Sequence, residues 1–235
     1  MNISKNIFVI MVGGVGSRLR PYTYSLPKPL LTANGISPLE NSIKNIKKES
    51  KSNEIYLVVG YKKDIFKKWV KQKKLKNIRF ISEKNPLGTA GALKKLVIKN
   101  FKNIILINGD LFFQINFKNL IRHHKKNNFE VTVCTKKNIT NIPYAILKRR
   151  NNKIIFKEKP KISHIINTGI YVLDKNFLKK FFLLKANKNK DIFDMPDLIN
   201  FAGEKKLGTF NIGSKWIDIG NIYDYKKASR EIKFW

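Results

Sequence analysis

Four short runs in the first half of the chain, NIFVIM (6–11), EIYLVV (54–59), IRFIS (78–82) and NIILIN (103–108), are almost continuously apolar. A strand with one wet face alternates apolar and polar residues, so unbroken runs of this kind belong to strands covered on both faces. Segments of helical periodicity lie between them. The first spans 38–49 and opens with Ser37-Pro38-Leu39-Glu40, a capping serine followed by proline at the first helical position and glutamate at the third. Others span 62–74, begin at Thr89-Ala90-Gly91, and cover 117–127. Strand–helix alternation predicts an α/β domain built on a mostly parallel sheet flanked by helices. After EVTVCT (130–135) the rhythm changes. YAILK (144–148), KIIFKEK (153–159) and HIINTGIYVL (164–173) are closely spaced strands, which predict a small added antiparallel layer over one end of the sheet. Helices at 175–184, 196–203 and 221–231 and a strand at 207–212 complete the pattern. No internal repeat or low-complexity linker divides the chain, so 1–235 reads as one compact unit.

A chain of 235 residues with 43% hydrophobic content can bury a core without disulfides. The single cysteine, Cys134, lies in an alternating strand pattern, which predicts a buried thiol and a reducing, cytoplasmic setting. No stretch approaches the roughly 18–20 apolar residues that span a bilayer, and IFVIMV leads into glycines rather than a signal-peptide cleavage site. The charge is extreme: 48 Lys+Arg against 16 Asp+Glu, net +32. Only seven of the basic residues are arginine, and the lysines are scattered among asparagines and isoleucines along the whole chain. These three residue types share A/T-rich codons, so coding bias accounts for the excess. Helix-turn-helix, zinc-ligand and RNP-like patterns are all missing, which argues against specific nucleic-acid recognition. A positive surface still attracts nucleotides and sugar phosphates.

The chemistry concentrates after the first strand, in GGVGSRLRPYTYSLPKPLL, Gly13 to Leu31. Clustered glycines expose backbone N–H groups that can wrap a phosphate; Arg18 and Lys28 add positive charge, and Pro27 and Pro29 stiffen the chain around the lysine. In open α/β sheets ligands bind beyond the carboxyl ends of the strands, where this loop falls. The spacing is neither the dinucleotide fingerprint nor a Walker A loop.

This segment resembles the signature of the sugar-1-phosphate nucleotidylyltransferases, GGxGxRLxPxT followed by PKP, and is closest to the mannose-1-phosphate guanylyltransferase-like branch. The likeness continues in order through the chain. Glu83-Lys84-Asn85-Pro86-Leu87-Gly88-Thr89-Ala90-Gly91 resembles the family's base-binding loop, and Asn108-Gly109-Asp110 its metal-binding aspartate. Glu158-Lys159-Pro160 and Asn167-Thr168-Gly169 resemble its sugar-phosphate segments, and Trp216-Ile217-Asp218-Ile219-Gly220 its second metal aspartate. Val12 stands where alanine is usual, and Ala145 follows Tyr144 where glycine is usual, which reshapes the sugar pocket.

The resemblance implies a Rossmann-like nucleotidyltransferase domain, with 1–135 as the nucleotide-binding half and 136–235 as the sugar-phosphate half. It implies attack by a sugar 1-phosphate on the α-phosphorus of a nucleoside triphosphate, with release of pyrophosphate. Val12, Gly13, Gly14, Gly16, Glu83, Pro86, Gly88 and Thr89 would bind the nucleotide. Arg18 would hold the departing pyrophosphate, Lys28 would neutralise charge at the α-phosphate, and Lys159 would hold the incoming sugar phosphate. Tyr144, Ala145, Glu158, Asn167 and Thr168 would line the sugar-phosphate side, and Asp110 and Asp218 would hold Mg²⁺. Taken singly, these residues have plainer readings: Asp110 as a turn cap, Asp218 as the cap of the last helix, and Glu158-Lys159 as a solvated pair. The ordered set outweighs them. His123, His124 and His164 fall outside the set and read as surface or turn histidines; Tyr22, Tyr24, Trp69 and Phe181-Phe182 read as packing or partly exposed aromatics.

Glu83 bears on the base. Relatives that use uridine or thymidine nucleotides typically carry glutamine there, whose amide both donates and accepts; a carboxylate only accepts, which suits the N1–H and N2–H₂ donors of guanine. GTP is therefore favoured, with UTP, dTTP or CTP as alternatives. A catalytically inactive nucleotide-sugar sensor is a rival from another class. The residues do not separate one sugar from another. Many relatives carry a left-handed β-helix or regulatory domains; a minimal catalytic unit serving polysaccharide or glycan synthesis is expected here. Homo-oligomers are typical of such enzymes, though no interface is readable.

Overall fold

The computed structural model describes residues 6–49, 53–83, 85, 87–186 and 192–232. The strand–helix alternation is present: β1 (Asn6–Met11), α1 (Pro38–Glu49), β2 (Ile55–Val59), α2 (Lys63–Gln72), β3 (Ile78–Ser82), α3 (Gly88–Gly91), β4 (Asn103–Asn108), β5 (Leu111–Phe113) and α4 (Phe117–Lys126). Then follow β6 (Val131–Asn141), β7 (Ile146–Arg150), β8 (Lys153–Lys157), β9 (Lys161–Asp174), α5 (Lys175–Ala186), α6 (Met195–Phe201), β10 (Leu207–Asn211), β11 (Trp216–Asp218) and α7 (Ile222–Glu231). Ser37 caps α1 as its sequence signals, its Oγ accepting from the Glu40 N–H at 3.2 Å.

Seven strands form one sheet in the order β10-β6-β9-β4-β1-β2-β3. β4, β1, β2 and β3 run parallel, while β9 is antiparallel to both its neighbours. The antiparallel part thus differs in detail from a separate layer. The inner half of β9 is buried from Thr168 to Leu173 between β4 and β6, and its apolar run makes it a central strand. Two small pairs lie outside the main sheet, β7 with β8 and β5 with β11.

The continuously apolar strands are explained by what covers them. Ile7 and Val9 point into a cluster with Phe177, Phe181, Met195 and Leu198 of α5 and α6. Phe8 and Ile10 point the other way, into a cluster with Leu39, Ile43, Phe66, Phe117 and Leu120 of α1, α2 and α4. Burying each such side chain contributes about 1.5–3 kcal/mol. A third cluster, with Leu19, Leu31, Phe112, Ile217, Ile219 and Ala228, packs the loop after β1 against β11 and α7 at one end of the sheet.

One histidine departs from expectation. His124 is 2% exposed, and its Nδ1 lies 2.8 Å from Thr132 Oγ1. It continues the buried face of α4 set by Phe117, Leu120 and Ile121, so it is a core residue and not a surface or turn one. Cys134 is buried as expected, and burial pushes its thiol up. No helix among the described residues is long and apolar enough to cross a membrane.

Candidate functional site

β1 and β4 are parallel neighbours in which Met11 pairs with Asn108, so the loops that follow both strands leave the sheet side by side. One carries the glycines and Arg18, the other Asp110. β5 begins immediately after Asp110 and pairs antiparallel with β11, placing Asp218 opposite Leu111. The Ile219 N–H donates to the Asp110 carbonyl at 3.1 Å, which ties the two segments together. Two aspartates from opposite halves of the chain thereby meet at the mouth of the sheet.

Lys28 stands between them. Its Nζ donates to Asp110 Oδ2 at 2.6 Å and lies 3.9 Å from Asp218 Oδ1. The stem is held by its surroundings: Lys28–Leu30 form a 3-10 turn with Pro29 and Leu30 buried. Gly16 packs against it. With φ at +68°, a Cβ there would stand 3.1 Å from both Lys28 Cβ and Thr23 Cγ2, so only glycine permits this approach. Thr23 Oγ1 donates to the Gly16 carbonyl at 2.9 Å, and Leu19, fully buried in the third cluster, anchors the far side of the loop.

A cavity of about 520 Å³ opens over this floor. Of the residues singled out from sequence, Val12, Gly13, Gly14, Gly16, Arg18, Lys28, Glu83, Gly88, Thr89 and Asp110 line it. Pro86 and Lys84 lie outside the described residues. Asp218 borders the cavity through Lys28 and through Gly220, which lines it.

Tyr144, Ala145, Glu158 and Lys159 flank the β7–β8 hairpin; all but the half-buried Ala145 are exposed, and none of the four lines the cavity. Nor do Asn167 and Thr168 of β9. The Asn167 side chain donates to the Tyr171 hydroxyl and accepts from the Gly169 N–H, and the buried Thr168 hydroxyl donates to the Cys134 carbonyl. The structure therefore gathers the nucleotide and metal candidates into one basin and leaves the sugar-phosphate candidates outside it, on β9 and at the ends of the β7–β8 hairpin.

The carboxylates set the electrostatics. Burial and the neighbouring Asp110 push Asp218 up to about 6, and Lys28 only partly offsets this. Asp218 Oδ1 is buried and accepts no hydrogen bond. Two hard oxygen donors short of positive charge fit Mg²⁺, which binds through one or two carboxylates with phosphate and water completing the shell. Among the described residues no group of three or more His, Cys, Asp or Glu side chains is placed to hold a metal, so phosphate and water would have to complete the shell around this pair. Asp218 does not cap the last helix: Asn221 does, its side chain accepting from the Asp224 N–H at 3.0 Å.

Glu83 also lines the cavity, and its Oε1 is buried without a hydrogen-bond partner. Burial raises its pKa, and Lys95 opposes the shift. Two supporting residues carried no sequence signal. Lys62 reaches from α2's start to the carbonyls of Thr23 and Tyr24, and Asp194 accepts from the Thr89 N–H and hydroxyl. Neither sits in a motif, and only the fold brings them to the loops they hold.

Known proteins resemble this chain. A mannose-1-phosphate guanyltransferase of Yarrowia lipolytica is 32% identical over 228 residues, covering 92% of this chain and 61% of that protein. The mannose-1-phosphate guanylyltransferase catalytic subunit beta of Xenopus tropicalis is 30% identical, covering 92% and 62%. The chain thus spans about three fifths of the length of these relatives. The crystal structure of HddC from Yersinia pseudotuberculosis, complexed with GMP-PN, superposes with a TM-score of 0.70 at 26% identity, covering 98% of this chain and 100% of that one. Residues 7–233 match the Nucleotidyl transferase family model, and the chain belongs to that family.

Proposed function

We propose that this protein transfers GMP from GTP to a sugar 1-phosphate, giving a GDP-sugar and pyrophosphate. A nonbridging oxygen of the sugar phosphate attacks the α-phosphorus, the bond from that phosphorus to the α–β bridging oxygen breaks, and the electron pair leaves with pyrophosphate. Such a phosphate is already largely ionised near neutral pH, so no general base is needed. Catalysis then rests on positioning and charge. The backbone of Gly13, Gly14 and Gly16 cradles the triphosphate, Arg18 holds the leaving pyrophosphate, and Lys28 faces the α-phosphate. Lys159, Glu158, Tyr144, Ala145, Asn167 and Thr168 are proposed to meet the sugar phosphate once it docks against the strands beside the cavity. Asp110 and Asp218 would hold Mg²⁺, which supplies charge neutralisation on the phosphates when bound. A cytoplasmic setting suits the buried thiol of Cys134.

The observation that carries the choice of base is Glu83, whose buried Oε1 lacks a donor on the wall of the cavity. Guanine offers adjacent N1–H and N2–H₂ donors; uracil, thymine, adenine and cytosine do not present that pair. The names of the curated relatives and the GMP-PN bound by HddC support the same choice. The test is pyrophosphate release with Mg²⁺, GTP, UTP, dTTP, CTP and ATP against a panel of sugar 1-phosphates. Release is expected with GTP, and Glu83→Gln should cut the GTP-over-UTP preference by roughly 10–100-fold, the worth of a two-point base contact. An unchanged preference in the variant would remove Glu83 from base reading, and release with UTP or dTTP alone would overturn the choice of GTP.

A further inference from the structure

The loop that lines the base side of the cavity is stapled to a segment more than a hundred residues away. The Phe193 N–H donates to the Leu87 carbonyl at 2.9 Å, and the Ala90 N–H donates to the Phe193 carbonyl at 2.8 Å. One oxygen of Asp194, Oδ1, accepts from both the Thr89 N–H at 2.9 Å and the Thr89 hydroxyl at 3.0 Å. The same hydroxyl accepts from the Met195 N–H at 2.9 Å. Contact is so close that a Cβ on Gly88, whose φ is +79°, would stand 2.4 Å from the Phe193 carbonyl oxygen. The staple is itself anchored: Phe193 is 3% exposed and packs edge-on against Phe181 and Phe182 of α5.

From these contacts we infer that Asp194 is a positioning residue for nucleobase selection. It fixes Thr89, and the adjacent Phe193 N–H holds the Leu87 carbonyl, so the Leu87 backbone that helps keep the Glu83 carboxylate charged is held by the same segment. A carboxylate read by its free oxygen discriminates bases only if that oxygen stays in one place, because a hydrogen bond weakens steeply with misalignment. Asp194 does not itself line the cavity; it acts through Thr89, which does, while its neighbour Phe193 holds Leu87. The inference rests on the proposed guanylyl transfer for its kinetic consequences and on geometry alone for its structural ones.

Asp194 also begins α6, which permits a clean separation of roles. Its N–H donates to Asp197 Oδ2 at 2.8 Å, a capping contact that does not involve Thr89. Asp197→Ala therefore weakens the cap and spares the staple. Asp194→Ser keeps a good capping residue but shortens the side chain, so that it no longer reaches Thr89. Asp194→Asn keeps the Oδ1 acceptor.

The experiment compares these three variants with the wild type. Asp194→Ser should raise KM for GTP roughly tenfold and compress the GTP-over-UTP ratio by a similar factor, the effect of losing charge-assisted hydrogen bonds. The kcat and the KM for sugar 1-phosphate should stay within about twofold. Asp197→Ala should leave both nucleotide readouts unchanged, and Asp194→Asn should restore most of what Asp194→Ser loses. Independently of turnover, the Thr89 and Ala90 amides of the nucleotide-free protein should exchange faster in Asp194→Ser alone, and GTP titrated calorimetrically should bind more weakly. Wild-type exchange and GTP affinity in Asp194→Ser would overturn the inference, as would an equal loss in Asp197→Ala. Absence of pyrophosphate release from the wild type would instead count against the proposed reaction, while exchange and titration would still decide the staple.

Discussion

Lys28 is one lysine of 41, and its position gives it a distinct role. It is 11% exposed, held by a proline on each side, and placed to neutralise two carboxylates that repel each other. Lys28→Ala should lower kcat for pyrophosphate release by about 10²–10³-fold, the range for one preorganised electrostatic group. Retention of full activity would remove it from the reaction. Asp218 leads to a less obvious expectation. Because burial and Asp110 raise its pKa to about 6, Asp218 is mostly ionised at pH 7 but at a greater cost in the folded protein than in the unfolded chain, which destabilises the fold. Asp218→Asn should therefore raise the melting temperature of the metal-free, nucleotide-free protein while abolishing Mg²⁺-dependent turnover, a trade of stability against function. Thermal melting with and without Mg²⁺ checks this, and a lowered melting temperature in the metal-free variant would show that the pair is not strained.

At the level of the element, α4 shows how a titratable group can be built into a core. His124 follows Phe117, Leu120 and Ile121 at helical spacing and lands against Thr132 of β6. Burial lowers its pKa from 6.5 to about 4, the largest of several effects in which Asp174 opposes and His123, Lys125 and Lys102 assist. The folded state thus holds His124 neutral, while the unfolded chain takes up a proton below pH 6.5. Its stabilising contribution is fully present above 6.5 and is lost as pH falls towards 4. The loss amounts to about 3 kcal/mol in all and about 2 kcal/mol by pH 5. Urea unfolding at pH 7.5 and 5 should show the wild type losing about 2 kcal/mol more than His124→Gln. Equal losses would place the acid sensitivity elsewhere. The periodicity that reveals this residue was already present in the sequence: its position seven residues after Phe117 outweighs the general expectation that histidines lie at surfaces and turns.

At the scale of the whole molecule, a net charge of +32 surrounds a site proposed to take two polyanions. Much of that charge is on exposed lysines, which act at a distance and are screened by salt. Raising NaCl from about 50 to 500 mM should increase KM for GTP several-fold while kcat changes less than about twofold. A KM flat in salt would show that the surface charge does not steer the substrate. The same measurement made on a nucleic-acid fragment separates nonspecific attraction from a binding function, since both weaken with salt but only the nucleotide turns over.

The order of strands and helices, the glycine-rich loop and its lysine were determined by the sequence alone, because each rests on local chemistry: apolar period, capping, glycine and proline content. The buried histidine was determined there too, through helical spacing. Other features depended on contacts between residues distant along the chain, which no local pattern records. β9 lies antiparallel between β4 and β6, where its inner half is buried. Asp110 and Asp218 meet because β5 pairs with β11, a register that neither strand encodes by itself. Asp194 reaches Thr89 only because Phe193 is drawn into the cluster under α5 and α6. Tertiary packing decided these, since their hydrogen bonds form only after the hydrophobic clusters have brought the segments together.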